Sequence, residues 1–177
     1  MNDKIINPIE EIYSQQSEIL HYLTEASEVS FVVTLDDQLK KFFVLSSASY
    51  FEVAVTQMMV DFFVRKSEGK AIVSFLENKA LKRQYHTLFN WEDAKNCNTF
   101  FGLFGSEFKD EITKIIQSNE DLSTGMRDFL EIGRLRNHLI HKNIATQFVD
   151  KTAAELYTKY QSATLFISFL QNHFKSH

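Results

Sequence analysis

Residues 50–64 read YFEVAVTQMMVDFFV, and apart from Glu52, Thr56, Gln57 and Asp61 the stretch is apolar on every side of a helical wheel. A helix with apolar residues all round packs on several neighbours or is half covered by a partner chain, so this segment is expected at the centre of the fold. Upstream, Thr34 with Asp37 and Ser49 with Glu52 both have capping-box spacing. Either pair begins a helix in the 35–66 region or marks a kink in one long helix, with Gly69 as a plausible C-cap. Toward the N-terminus, Ile9, Ile12, Tyr13, Ile19, Leu20 and Leu23 fall on one face of a 3.6-residue period, behind Asn7 as N-cap and Pro8 in the first turn. At the other end Leu156, Tyr160, Ala163, Ile167, Leu170 and Phe174 form a second such stripe, opened by a Thr152–Glu155 capping box.

The middle, about residues 70–118, reads as shorter helices broken at Asn90–Asn98 and at the FFGLFGSEF stretch. The phenylalanines of that stretch are either core or, if exposed, a partner surface. One proline and five glycines in 177 residues leave too few turn signals for a sandwich or barrel. With 44% hydrophobic and 24% charged residues, and no repeat or linker, the chain is expected to be an all-α, single-domain helical bundle with additional short helices over 1–177. The single Cys97 makes no internal disulfide and has no ligand-spaced cysteine beside it, which argues against a structural zinc site and suits a reducing compartment. A net charge of −4 excludes a general polyanion-coating protein but leaves room for a small basic site. No early apolar run reads as a bilayer span and the N-terminus lacks the layout of a signal peptide, so a soluble, cytoplasmic protein is expected.

Residues 120–143, EDLSTGMRDFLEIGRLRNHLIHKN, carry the chemistry. Acids at the start and cations in the last turn suit a helix macrodipole. At 100° per residue, Leu122, Met126, Phe129, Gly133 and Ile140 fall together as the expected buried stripe, with Arg136 on it. Asn137, His141 and Arg134 share one flank, and His138 faces the far side. An arginine on an apolar face needs an anion to receive it: an acid of another helix (Glu52 or Asp61), the lip of a cleft, a partner subunit or a phosphate. His141 follows Asn137 by one turn, close enough for the amide to orient the ring. An arginine that grips phosphate and a histidine that moves protons near neutral pH are the minimum for cleaving a phosphodiester. An Arg–carboxylate pair that only fixes helix register satisfies the same spacing.

The string Arg136-Asn137-His138-Leu139-Ile140-His141 resembles the signature of the HEPN superfamily: an arginine, usually followed by asparagine, and a histidine after four to six residues. FLEIGRLRNHLIHKN and the earlier SSASYFEVAVTQMMVDFF are similar to the motif helix and the acid-bearing central helix of its RiboL-PSP-type members, with Glu52 at the matching acid. The resemblance implies a metal-independent ribonuclease without cofactors, in which the ribose 2′-hydroxyl attacks the adjacent phosphodiester. His141 is then the general acid or base, and Arg136 stabilises the charge on the phosphoryl oxygens. Asn137 orients His141 or contacts phosphate, and Glu52 holds Arg136 or takes part in proton transfer. Arg134, His138 and Lys142 become RNA contacts. Arg134, six residues before His141, also fits the family spacing, so either arginine is a candidate for the catalytic one. The resemblance further implies a homodimer with a composite cleft, RNA as partner, and a toxin or defence role under a cognate antitoxin or other regulator. A non-catalytic HEPN scaffold or nucleotide-binding subunit is the alternative. Lys79, Lys82 and Arg83 form a second basic cluster, and Trp91 is either a base-stacking or a core residue. His21, His86, His173 and His177 carry no motif and receive no role.

Overall fold

The computed structural model describes residues 7–81, 84–93 and 95–177. Helix α1, Pro8–Glu25, starts where expected: Asn7 is the N-cap and its Oδ1 accepts from the Ile9 amide at 3.0 Å. Helix α2 runs without interruption over Val29–Lys66. Thr34 and Ser49 are therefore interior residues rather than caps, and the Thr34 hydroxyl donates back to the Ser30 carbonyl at 3.0 Å. Gly69 does not close α2 either; Ser67 is its C-cap, and Gly69 is the N-cap of α3, Lys70–Leu76. A π-helical turn at Glu77–Leu81 follows, then the short α4, Tyr85–Leu88, and α5, Asn98–Gly102. Helices α6, Ser106–Gln117, α7, Glu120–His141, and α8, Ala153–Ser176, complete the chain. No strand occurs among the described residues.

The core lies where α2, α7 and α8 meet. Phe51, Val55, Met58 and Met59 of α2 are buried, which places the apolar 50–64 stretch at the centre as its composition dictates. All six residues of the α8 stripe, Leu156 through Phe174, are buried. The capping box before it is formed, with the Glu155 carboxylate accepting from the Thr152 amide at 2.7 Å and the Glu155 amide donating to Thr152 Oγ1 at 3.2 Å. In the FFGLFGSEF stretch Phe100 and Phe101 are fully buried, while Leu103 is exposed. Helix α2 alone among the described helices is long and apolar enough to cross a membrane by length and composition, which corrects the reading of the sequence. From Phe43 onward its apolar side chains supply much of the bundle's core.

Helix α7 packs most extensively on α8. Gly125 makes this possible: a Cβ there would lie 2.4 Å from the Ser162 carbonyl oxygen of α8. Lys159 of α8 joins the two helices by charge, 2.7 Å from Asp128 and 2.8 Å from Glu131. Lys151 meets Glu131 at 3.0 Å. Burial alone would raise the Glu131 carboxyl, but the hydrogen bonds from Lys159 and Lys151 hold it below the usual range.

Candidate functional site

The buried side of α7 is rotated from the one the sequence suggests. Ile132, Leu135 and Leu139 join Phe129 and Gly133 inside, Leu122 and Met126 are half-buried, and Ile140 is 51% exposed. Arg136 consequently lies at the edge of the packed face rather than within it, half-buried and open to solvent.

Around Arg136 the structure forms a narrow cleft from three segments. Helix α2 supplies Ala48, Phe51 and Glu52, the segment after the π turn supplies Tyr85, His86 and Trp91, and α7 supplies Phe129, Gly133, Arg136 and Asn137. The third wall depends on Gly133. The Trp91 ring occupies the space of a Cβ, whose ideal position lies 2.1 Å from Trp91 Cζ3. Trp91 is fixed in turn by its Nε1–H, which donates to the His86 carbonyl at 3.0 Å. Tyr85 and His86 are thereby carried to the cleft, the tyrosine buried and the histidine exposed. The interior, about 10 Å³, has room for one water. Glu52 also borders a wider open groove of about 410 Å³ along Ser49, Val53, Thr56 and Gln57.

Within the cleft Arg136 meets both of its expected neighbours. Its Nη2 lies 3.8 Å from Glu52 Oε2, a loose ion pair, and its Nη1 donates to Asn137 Oδ1 at 3.0 Å. Of the two acids proposed for Arg136, Glu52 receives it; Asp61 instead accepts from Gln57 one turn earlier. The Asn137 oxygen is thus engaged by Arg136, which leaves its NH2 group as the part of the amide that can donate elsewhere. Burial, and after it the Glu52 carboxylate, pushes the Tyr85 phenol well above its ordinary value, while Arg136 acts in the opposite sense. Tyr85 is therefore a neutral phenol at the base of the site.

His141 lies outside this cleft within one chain. It is exposed in the last turn of α7, as are His138 and Lys142. Arg134 is half-exposed and its Nη2 lies 3.9 Å from Glu131, on a flank outside the cleft lining. Trp91 is core rather than a surface for bases. Lys82 and Arg83 lie outside the described residues. Tyr85 and His86 are the lining residues that sequence reasoning passed over. The signal available for them was Gly133 itself, a helical glycine one turn before Arg136 that calls for a large partner.

A family model described as RiboL-PSP-HEPN matches residues 10–176. The chain belongs to the RiboL-PSP-HEPN family. No curated protein and no solved structure gives a significant match. The HEPN fold is all-α, as found here, and HEPN domains are often ribonucleases. The match spans both the motif helix and the acid-bearing α2, the two elements whose side chains meet in the Arg136–Glu52 pair.

One further group of ligand-type side chains lies elsewhere. Glu111 of α6 with His173 and His177 at the end of α8 bring three ligand-type atoms within 4.8 Å of one another. No motif surrounds either histidine in the sequence, and Glu111 joins them only through the packing of α6 on the end of α8.

Proposed function

We propose that this HEPN protein is a metal-independent endoribonuclease. The observation that carries the reading is a half-exposed guanidinium, steadied by Asn137 and Glu52 at the mouth of a cleft, with an exposed imidazole five residues later on the same helix. Asn137 Oδ1 holds one side of Arg136, and the 3.8 Å pair with Glu52 is long enough to give way to a phosphate that offers two oxygens. In the reaction a ribose 2′-hydroxyl loses its proton to a base and its oxygen attacks phosphorus. The P–O5′ bond breaks, the 5′ oxygen takes up a proton, and a 2′,3′-cyclic phosphate and a 5′-hydroxyl remain. His141 serves as the acid or base, and Arg136 stabilises the charge that builds on the non-bridging oxygens. His138, Lys142 and Arg134 track the RNA backbone.

The distance of His141 from the single-chain cleft is reconciled by a homodimer in which the two motifs face one another. Exposed apolar residues surround the motif and suit such an interface: Val53 beside Glu52, Ile140 beside His141, and Ile144 and Phe148 after it. We place the protein in the cytoplasm as a toxin or phage-defence effector restrained by a partner. The exposure of His141 outside the cleft favours a second reading, a HEPN subunit that binds nucleotide or scaffolds a complex without cleaving.

Induction of the wild type, Arg136→Ala and His141→Ala in cells, followed by mapping of RNA ends, separates the two. Cleavage leaving 2′,3′-cyclic phosphates, lost by at least about 100-fold in both folded variants, is the expected result. Equal RNA profiles in all three would overturn the enzyme reading and leave the scaffold.

A further inference from the structure

The end of the bundle away from the cleft gathers nitrogen and oxygen donors that the ribonuclease reading does not use. Arg65 Nη2 donates to the Phe174 carbonyl at 2.8 Å, so the last turns of α8 lie beside the end of α2. Glu52 is thirteen residues earlier on α2, roughly 20 Å away at 1.5 Å per residue. His173 and His177 are separated by one helical turn, and their rings are adjacent, with centroids 4.4 Å apart. Glu111 reaches them from α6, and its two oxygens each lie 3.4 Å from His177 Nε2.

Those separations are informative. Bonds of about 2.0–2.1 Å in a tetrahedron put ligand atoms about 3.3 Å apart. The Glu111–His177 distance already has that value, and all three donors lie within 4.8 Å of one another, so a shift of about 1–1.5 Å in the His173 ring completes the face of a tetrahedron. His173 supplies a second, independent observation. It is 9% exposed, and its Nε2 is buried without a hydrogen-bond partner among the described residues. A buried ring nitrogen left unpaired is costly unless something accepts or donates there.

We propose that Glu111, His173 and His177 form a site for a divalent transition-metal cation, zinc by its two-imidazole, one-carboxylate donor set, with water in the remaining position. The ion ties α6 to the end of α8. It stands apart from the Arg136 cleft and is independent of whether the protein cleaves RNA.

The full-length protein, stripped with chelator and dialysed, is titrated with zinc by calorimetry and with cobalt by visible absorption. One equivalent is expected to bind at the site, with the intense d–d bands of tetrahedral cobalt and a melting temperature that rises with zinc. Glu111→Gln and His177→Gln, both at solvent-reached positions, are expected to weaken binding at least about tenfold and to abolish the thermal shift. His173→Gln is not needed for the test, so misfolding of that buried variant leaves it intact. No saturable binding to the wild type, or equal binding and equal thermal shift in both variants, would overturn the site and leave Glu111–His177 as an ion pair only.

Discussion

Gly133→Ala sets two effects of known sign against each other. Alanine in place of glycine within a helix is worth about 1 kcal/mol through backbone entropy. At this position the new methyl would lie 2.1 Å from Trp91 Cζ3 and 2.2 Å from Cε3, and the Trp91 ring is buried and held by its bond to the His86 carbonyl. The ring must move by more than an ångström, away from Phe129 and Phe89, whose centroids lie 5.7 and 4.9 Å from its own. Overpacking of this kind costs about 1–3 kcal/mol or more, and loss of the indole hydrogen bond adds about 1 kcal/mol. The clash wins. A net loss of about 2 kcal/mol lowers the melting temperature of a chain this size by roughly 4–8 °C. Gly102→Ala is the internal control, since a Cβ there meets nothing within 4 Å and the residue is helical. It should be neutral or stabilising by up to about 1 kcal/mol. Thermal denaturation of both variants, followed by circular dichroism, decides the matter. If Gly133→Ala melts at or above the wild type, Trp91 does not sit on α7 as described, and the third wall of the cleft has no basis.

Two more outcomes follow from charges outside that wall. Lys159→Met removes the cation between Asp128 and Glu131 and should cost about 2 kcal/mol, part of the pair being reached by solvent. The Glu131 carboxyl is depressed when folded, so its contribution is present above its unfolded value of 4.5 and is lost as pH falls through the folded value. The Lys159 ammonium is raised despite the burial that opposes it, so its contribution is present below 10.5 and lost as pH rises through the folded value. Urea titrations from pH 2 to 7 should show a shallower acid-side loss of stability in Lys159→Met than in the wild type; parallel curves would count against this network. Replacing Arg134 and Lys142 together by alanine should weaken RNA binding and flatten the dependence of log K on log salt by about 1.4–1.8, if each contacts one phosphate. An unchanged slope in filter-binding measurements would remove both from the RNA path.

The terminal helices were the most legible part of the fold because their signals are local. Asn7 with Pro8, and Thr152 with Glu155, declare helix starts within four residues, and the α8 stripe needs only one face of one helix. Helix α2 was placed correctly at the centre, but its continuity was not legible. Thr34 and Ser49 carry cap chemistry that tertiary packing overrides inside a long helix. On α7 the wheel was drawn through Leu122 and Ile140, whereas α8 packs on a side that includes Asp128, paired with Lys159, and Gly125, buried for its lack of a side chain. A hydrophobicity wheel gives such residues no inward weight, so it turns away from the true face. The Arg136–Glu52 pair was foreseeable, since a half-buried guanidinium needs an acid and α2 offered two. The contribution of residues 85–91 was not, because it depends on a tryptophan meeting a glycine more than forty positions away.

The bond from Arg136 to Asn137 fixes the polarity of what the cleft displays. With the amide oxygen turned toward the guanidinium, the NH2 group of Asn137 is left to act as a donor, and the Glu52 carboxylate is the anion that faces Arg136 from α2. That carboxylate holds the place of an anionic guest. An oxyanion that takes both guanidinium nitrogens must part Arg136 from that carboxylate, at the cost of a 3.8 Å pair that is already loose.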